Sequence, residues 1–292
     1  MDKKNALALG AFDGFHIGHM SVVGPASAFA SRTGGAAFVT RFDVHPKTFF
    51  TGVGEKRLMT RADESVFLSD NRLIPFGLRF GDVKNLYPEE FFRSFILEGG
   101  FGFVSCGFNF TFAKDRSGDP DVLKRLCEES GTEFFCAPPV FYKNEIVSST
   151  RIRLALENGG AEDANAMLGR PFSFTLPVVH GQKRGRKMGF PTANQILPEE
   201  LTVPEYGVYS SETLYGERCF RSITDIGIRP TVGGDEIRSE THLIDFDGDL
   251  YGKDITVKLL RYMRPERTFE SLEELSARIK QDLYDRLALT GF

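Results

Sequence analysis

The sequence lacks the features that indicate membrane or secreted proteins. No apolar run approaches the roughly 18 residues that a membrane-spanning helix needs, so no membrane partner is expected. The four cysteines form no Cys-x-x-Cys pair and have no histidine spacing typical of a zinc site. Reduced thiols and a cytoplasmic location are therefore predicted. The apolar stretch before Asp13 has no small-residue cleavage site, so it is predicted to be a strand rather than a signal peptide.

The sequence also has no tryptophan and little excess charge. A net charge of −4 argues against a dedicated nucleic-acid-binding protein, which would need a basic face. An ATP site needs only local positive potential and remains possible. The 292 residues suggest one large or two ordinary domains. We expect small-molecule partners and a monomer or weak homo-oligomer.

Strands and helices are predicted to alternate in the first part of the chain. Residues 6–9 and 36–40 are short apolar runs typical of strands covered on both faces. A helical pattern over residues 18–31 separates them, another helix opens at Pro88, and residues 101–104 indicate a further strand. This alternation predicts a parallel sheet in an α/β, Rossmann-like domain.

A helical stretch is predicted over residues 149–168, with an interruption at residues 158–160. After it, the spacing of the apolar residues changes from that of a helix to that of a strand. Apolar and polar residues then alternate from Phe172, and the Asp247-Gly248 pair predicts a tight hairpin. A small antiparallel β-barrel is expected, closed by a terminal helix with an apolar stripe and a Ser271/Glu274 capping box. We place the domains at residues 1–167 and 168–292.

The first chemical motif is the stretch GAFDGFHIGH at residues 10–19, which joins the first strand to the first helix. His16 and His19 are three apart, with Gly14 and Gly18 nearby, beside the free N–H groups of a helix N-terminus. That arrangement suits a polyphosphate, whose leaving pyrophosphate the imidazoles can stabilise. The alternative is one core and one surface histidine. Ser149, Thr150 and Arg153 open a later helix and could hold phosphate oxygens, although Ser and Thr are also ordinary N-caps.

Together these segments resemble the HxGH nucleotidyltransferases, and most closely the FAD synthetase module of bacterial bifunctional riboflavin kinase/FAD synthetases. The resemblance implies that the FMN phosphate attacks the α-phosphorus of ATP and releases pyrophosphate. His16 and His19 would hold the triphosphate, Asn109 would position FMN or the metal, and Ser149, Thr150 and Arg153 would clamp phosphates. This chain has Val44 and Ala113 where the family usually has Pro and Gly. If the backbone needs a positive φ there, Ala113 would narrow the site or weaken adenylylation.

The second motif is HGQKRGRKMGFPTAN at residues 180–194. The glycines Gly181, Gly185 and Gly189 let a loop approach phosphates, and cations such as Arg186 supply local positive charge. Thr192 and Asn194 are two apart, so an extended backbone places both oxygens on one face, where they could bind Mg²⁺. For the cations the alternatives are a solvated loop or a nucleic-acid patch, the latter disfavoured because no exposed aromatic residues are interleaved; for Thr192 and Asn194 the alternative is a common turn.

This segment resembles the riboflavin kinase signature, and the likeness continues through residues 227–231, 240–246 and 250–253. It implies that Glu240 orients or deprotonates the ribityl hydroxyl of riboflavin, which attacks the γ-phosphorus of ATP, while Thr192 and Asn194 hold Mg²⁺. Without the resemblance, Glu240 would be an exposed glutamate paired with Arg238 or Arg261. Pro177 replaces a usual Gly and predicts an edge strand or a bulge. His180 and His242 are taken as structural.

Three functions remain open. The first is an enzyme that makes FMN and then FAD from riboflavin with ATP and Mg²⁺. The second is a riboflavin kinase with weak or lost FAD synthetase activity, through changes such as Ala113. The third is a flavin-binding regulator without turnover, which would not need to keep His16, His19, Thr192, Asn194 and Glu240.

Overall fold

The computed structural model describes residues 3–44, 46–52, 54–181, 185, 189–231 and 234–288. The chain folds as two compact units, Met1–Arg57 with Glu64–Ser149 and Leu58–Asp63 with Thr150–Phe292. The short segment Leu58–Asp63 thus belongs to the second unit although the first unit surrounds it in sequence. The boundary proposed between residues 167 and 168 stays a prediction.

The first unit is built on the predicted parallel sheet. Its five strands are β1 (Asn5–Leu9), β2 (Ala37–Phe42), β3 (Leu73–Leu78), β4 (Phe101–Gly107) and β5 (Glu133–Ala137). In the sheet they lie in the order β3-β2-β1-β4-β5. The connecting helices are α1 (Ile17–Thr33), α2 (Pro46–Thr51), α3 (Arg61–Asp70, which begins in the second unit), α4 (Phe80–Val83), α5 (Pro88–Phe91) with a π-helical continuation (Phe92–Leu97), and α6 (Pro120–Ser130). A small hairpin of β6 (Phe141–Tyr142) and β7 (Glu145–Ile146) follows. The predicted α/β class is confirmed.

The strand order of the parallel sheet determines where its ligand-binding crevice lies. β1 is the central strand, and its residues Ala6–Leu9 are at most 2% exposed, as expected for an apolar run covered on both faces. From β1 the chain passes outwards to β2 and β3 and then returns to pair β4 on the other side of β1. Parallel α/β sheets bind ligands in the crevice beyond the carboxyl ends of two such strands. The loops after Leu9 and Gly107 border this crevice.

The second unit is the predicted antiparallel barrel. Its six strands are β8 (Phe172–Pro177), β9 (Ala193–Ile196), β10 (Gly207–Tyr215), β11 (Arg218–Thr231), β12 (Gly234–Leu243) and β13 (Asp254–Arg264). In the sheet they lie in the order β8-β13-β10-β11-β12-β9. The helices α7 (Ser149–Glu157), whose first residue belongs to the first unit, and α8 (Ala161–Leu168) precede the barrel, and α9 (Leu272–Ala288) follows it. Pro177 ends β8, at one end of the strand order, as its missing N–H requires.

The predicted hairpin at Asp247-Gly248 is wrong. β12 pairs with β11 and β9, and β13 pairs with β10 and β8, so both edges of each strand are already occupied. The connection from Leu243 to Asp254 must therefore span from one part of the barrel to another, and the Asp-Gly pair lies within this longer loop.

Helix α9 buries two charged residues beside the middle of its apolar stripe. Asp282 and Arg286 are buried and Leu275, Ile279 and Leu283 are half-buried, whereas the two ends of the stripe, Leu272 and Leu287, are 62% and 42% exposed. The carboxylate of Asp282 accepts bonds from Arg264 Nε at 3.1 Å, Arg264 Nη2 at 2.7 Å and Arg278 Nη2 at 2.9 Å. The apolar stripe is therefore partly buried, and the ion pairs of Asp282 add to the attachment of the helix. Ser271 does cap it, because its Oγ accepts from Glu274 N at 3.1 Å.

We expect Asp282→Ala to lower the free energy of unfolding of the second unit by about 3–5 kcal/mol. The substitution leaves the guanidinium of Arg264, which is 14% exposed, without its partner. Urea denaturation of the full chain measures the loss. Asp285→Ala on the same helix removes only a bond from Gln281 and is the control, expected to change stability by less than about 0.5 kcal/mol. Equal losses in the two variants would contradict this view of helix docking.

Candidate active sites

A cavity of about 1150 Å³ lies in the first unit at the carboxyl ends of β1 and β4. Among the residues that line it are five predicted site residues, namely His16, Gly18, His19, Asn109 and Ser149. Gly14 does not line the cavity; its φ of 76° instead makes the turn that leads into α1. The structure thus brings both histidines, the asparagine and one hydroxyl of the predicted set to a single pocket.

The two histidines are stacked at the N-terminus of α1. His16 is the N-cap of the helix, and its Nδ1 accepts a bond from His19 N at 3.2 Å. The ring centroids are 3.6 Å apart, and Nδ1 of His19 is buried without a hydrogen-bond partner among the described residues. Burial, and then the neighbouring His16, lower the pKa of His19 well below its usual value. The low pKa favours a neutral His19, whose side chain lines the pocket and whose buried Nδ1 makes no hydrogen bond among the described residues.

Of the predicted phosphate-binding residues Ser149, Thr150 and Arg153, Ser149 lines this pocket and the other two do not. Ser149 Oγ donates to Asp13 O at 3.2 Å, and this bond ties the start of α7 to the loop after β1. Thr150 and Arg153 follow on the same helix but belong to the second unit. Their predicted contact with phosphates stays a prediction.

Ala113 has the backbone conformation of a glycine. Its φ of 66° and ψ of −179° lie in a region that only Gly adopts without strain. The residue lines the pocket, and Phe112 and Gly118 close the loop around it through paired backbone bonds of 3.0 Å. The condition of a positive φ at this position is therefore met, and its effect on adenylylation stays a prediction.

We expect Ala113→Gly to raise the free energy of unfolding of the first unit by about 1 kcal/mol. The substitution removes backbone strain of about 1–3 kcal/mol at an entropic cost of about 0.5–1 kcal/mol. Chemical denaturation measures the change. Ala28→Gly, at an exposed position inside α1, is the control with the opposite sign and should destabilise by about 1 kcal/mol. A loss of stability in both variants would show that Ala113 is not strained.

In the second unit, Thr192 and Asn194 are brought together beside Gly181. Asn194 is 6% exposed, and its Nδ2 lies 3.4 Å from Thr192 Oγ1. A Cβ on Gly181 would fall 2.6 Å from the Asn194 amide, so only glycine fits there. A turn of the Asn194 amide by 180° would place its Oδ1 beside the Thr192 hydroxyl, and both oxygens are hard ligands of the kind that Mg²⁺ prefers. The pair therefore fits the implied metal.

The glycine loop is partly described. Gly185 O accepts a bond from Phe190 N at 2.9 Å, and a Cβ on Gly185 would fall 2.3 Å from Phe190 O. Gly189 has a φ of 83°. Arg186 lies outside the described residues, so its predicted contact with phosphate stays a prediction.

Glu240 is held by an arginine that sequence reasoning did not select. It is paired in register with Asn194 of β9 on one side and with Asp225 of β11 on the other. Its Oε1 accepts from Arg229 Nε at 3.0 Å, and Arg229 also binds Asp225 and Glu266. Burial, and then the charge of Glu266, raise the pKa of Asp225 to about 6.

The expected partners of Glu240 were wrong. Arg238 pairs with Glu236, and Arg261 pairs with Glu162. No spacing rule would have found Arg229, because strand pairing brings residues 229 and 240 together. The histidines taken as structural do make local contacts: His242 Nδ1 lies 2.8 Å from Pro191 O, and the ring of His180 lies 4.1 Å from that of Tyr251.

In the part of the chain that the structure describes, no group of three or more His, Cys, Asp or Glu side chains is placed to hold a metal ion. Within the same residues, no helix is both long and apolar enough to cross a bilayer.

The fold defines a protein with two candidate sites, one on a Rossmann-like sheet and one on a β-barrel. Models of two known families match the chain, FAD synthetase over residues 1–151 and riboflavin kinase over residues 168–289. The chain belongs to the family of bifunctional riboflavin kinase/FMN adenylyltransferases. It is therefore an enzyme of flavin cofactor biosynthesis that carries both activities.

Relatives with this description cover nearly the whole chain. The bifunctional riboflavin kinase/FMN adenylyltransferase of Escherichia coli (strain K12) is 33% identical over 289 residues, which are 94% of this chain and 90% of the relative. That of Bacillus subtilis (strain 168) is 31% identical over 292 residues, with coverages of 96% and 90%. Both catalytic modules therefore have counterparts in single relatives.

One solved structure is similar along the full length. It is described as a macrolide-efflux protein from Streptococcus pneumoniae, with a TM-score of 0.89, 28% identity and coverage of 99% of this chain and 96% of that chain. The described efflux role is that protein's own, and the match supports the fold of this chain.

Proposed function

We propose that the first unit adenylylates FMN in the cavity at the ends of β1 and β4. His16 and His19 would hold the triphosphate of ATP, while Asn109 would position FMN. The observation that supports this is the buried and unpartnered Nδ1 of His19 beside the N-terminus of α1. A neutral imidazole and helix N–H groups can stabilise the charge that develops on pyrophosphate as it leaves. Ser149, and with it Thr150 and Arg153, would bind phosphate oxygens.

For the second unit, the proposal is phosphorylation of riboflavin. Glu240 would orient the terminal ribityl hydroxyl and take its proton as the oxygen attacks the γ-phosphorus of ATP. The loop with Gly181, Gly185, Arg186 and Gly189 would cover the nucleotide. Support comes from the strand register, which sets Glu240 directly beside Asn194.

Mg²⁺ is the metal proposed for the kinase site, with Thr192 Oγ1 and Asn194 Oδ1 as its protein ligands. When bound, the ion would neutralise charge on the phosphates of ATP. The closeness of the two side chains and the space left by Gly181 support the assignment.

The proposed setting is the cytoplasm, with ATP, riboflavin and FMN as small-molecule partners. The four cysteines are unpaired, which supports a reducing compartment. No nucleic-acid partner is proposed, because the net charge is −4. A monomer or weak homo-oligomer is the proposed assembly.

Incubation with riboflavin, ATP and Mg²⁺, followed by separation of the flavins, tests the function. FMN together with FAD supports both activities. FMN alone supports the second candidate, a kinase with impaired adenylylation, which the strained backbone of Ala113 favours. Unchanged riboflavin would overturn the kinase proposal. FMN supplied directly then tests the adenylyltransferase independently of the kinase.

A further inference from the structure

A row of three polar side chains crosses adjacent strands of the barrel. Asp225 of β11 is opposite Glu240 of β12, which is in turn opposite Asn194 of β9. Side chains of directly paired residues project from the same face of a sheet. The proposed base Glu240 therefore has the predicted metal ligand on one side and a second carboxylate on the other.

Two carboxylates directly opposite each other repel. Arg229 lies between them and binds each through a different nitrogen, with Nε to Glu240 Oε1 at 3.0 Å and Nη2 to Asp225 Oδ2 at 2.9 Å. Its remaining terminal nitrogen, Nη1, donates to Glu266 Oε1 at 2.8 Å. A planar guanidinium can contact three carboxylates at once, which an ammonium on a flexible stem does not do in a fixed geometry.

Glu266 fixes the guanidinium from outside the two paired strands. It follows the end of β13, and its carboxylate lies over Gly227, where a Cβ would fall 2.3 Å from Oε1. Arg229, Glu240 and Glu266 are each roughly one-third exposed, at 32%, 31% and 35%. The cluster thus borders solvent, where a substrate can reach Glu240.

We propose that Arg229 is a positioning residue for riboflavin phosphorylation, which holds the carboxylate of Glu240 in one orientation beside Asp225. The inference rests on the proposed role of Glu240 in the kinase reaction. Arg229 would act through Glu240 and would not itself contact the reacting atoms. Its removal lets Glu240 turn away from Asp225, and a misplacement of about 1 Å at a reacting group can cost about 100-fold in rate.

A double-mutant cycle on the full chain tests this. In the wild-type background, Arg229→Met should lower kcat for FMN formation by about 10- to 100-fold and change KM for ATP by less than about threefold. In a Glu240→Gln background the same substitution should cost less than about twofold, because an amide at position 240 accepts no proton in any orientation. Arg261→Met, which loses the exposed ion pair with Glu162, is the matched control and should keep wild-type kcat.

Equal factors in the two backgrounds, or an unchanged kcat in Arg229→Met, would overturn the proposal. A general loss of folding would lower both backgrounds alike and would appear in thermal unfolding. Should Arg229→Met not fold, Arg229→Lys enters the same cycle; it keeps the charge and should lose about 3- to 10-fold in the wild-type background only. Asp225→Asn added to Arg229→Met should restore part of kcat, because it removes the repulsion next to Glu240.

The outcomes distinguish failure of the positioning role of Arg229 from failure of the proposed kinase function. If the wild-type chain makes no FMN, the kinase proposal fails. If it makes FMN but Glu240→Gln retains full kcat, the role of Glu240 fails. If Glu240→Gln is impaired and the two substitutions are additive, only the positioning role of Arg229 fails.

Discussion

His19→Ala is expected to lower FAD formation by about 100- to 1000-fold while FMN formation from riboflavin continues. The substitution removes a neutral ring nitrogen that is buried in the pocket and has no partner among the described residues. Loss of one preorganised group that stabilises developing charge typically costs this much. Assays of supplied FMN with ATP measure the adenylyltransferase, and assays of riboflavin with ATP measure the kinase in the same preparation.

His19→Gln is a second substitution that tests the role of the side chain at position 19. Its amide keeps a polar group in the pocket, so we expect it to retain more FAD formation than His19→Ala. Stability also has to be compared, because His19 stacks on His16 at 3.6 Å. A parallel loss of FMN and FAD formation in His19→Ala would contradict the assignment of adenylylation to the first unit.

Glu240→Gln should have the reverse effect. We expect riboflavin phosphorylation to fall by about 100- to 10,000-fold, because the amide accepts no proton from the ribityl hydroxyl. The amide oxygen can still accept the bond from Arg229 Nε, so the side chain should stay in place. Adenylylation of supplied FMN should persist. Steady-state rates of the two half-reactions check both statements.

Glu217→Gln is the matched control for Glu240→Gln. Glu217 is exposed in the turn between β10 and β11, at the far end of β11 from Asp225 and Arg229. The same change of chemistry there should leave the kinase rate within about twofold of wild type, as expected for an independent site. A similar loss in both variants would mean that the net charge of the second unit matters, and not a proton acceptor at position 240.

The success of the sequence predictions depended on the range of the interactions involved. Residues 10–19 could be placed because strand, turn and helix start follow one another locally, and the structure sets His16 and His19 at one N-cap. Thr192 and Asn194 could be paired because extended backbone has a period of two residues. The Asp247-Gly248 hairpin failed because a turn dipeptide does not reveal which strands already have partners.

The amino-acid sequence by itself determined the two architectures, the order of the two chemistries and the identity of the local motifs. The architectures follow from periodicity and from residues close together in the chain, and the order of the two chemistries follows from the resemblance of the motifs to known families. Only the tertiary structure decided that Arg229 binds Glu240, that α9 docks through Asp282, and that Ala113 has a positive φ. Each of these follows from strand register, burial or loop closure, in which residues distant in sequence compete for the same space and the same hydrogen-bonding groups.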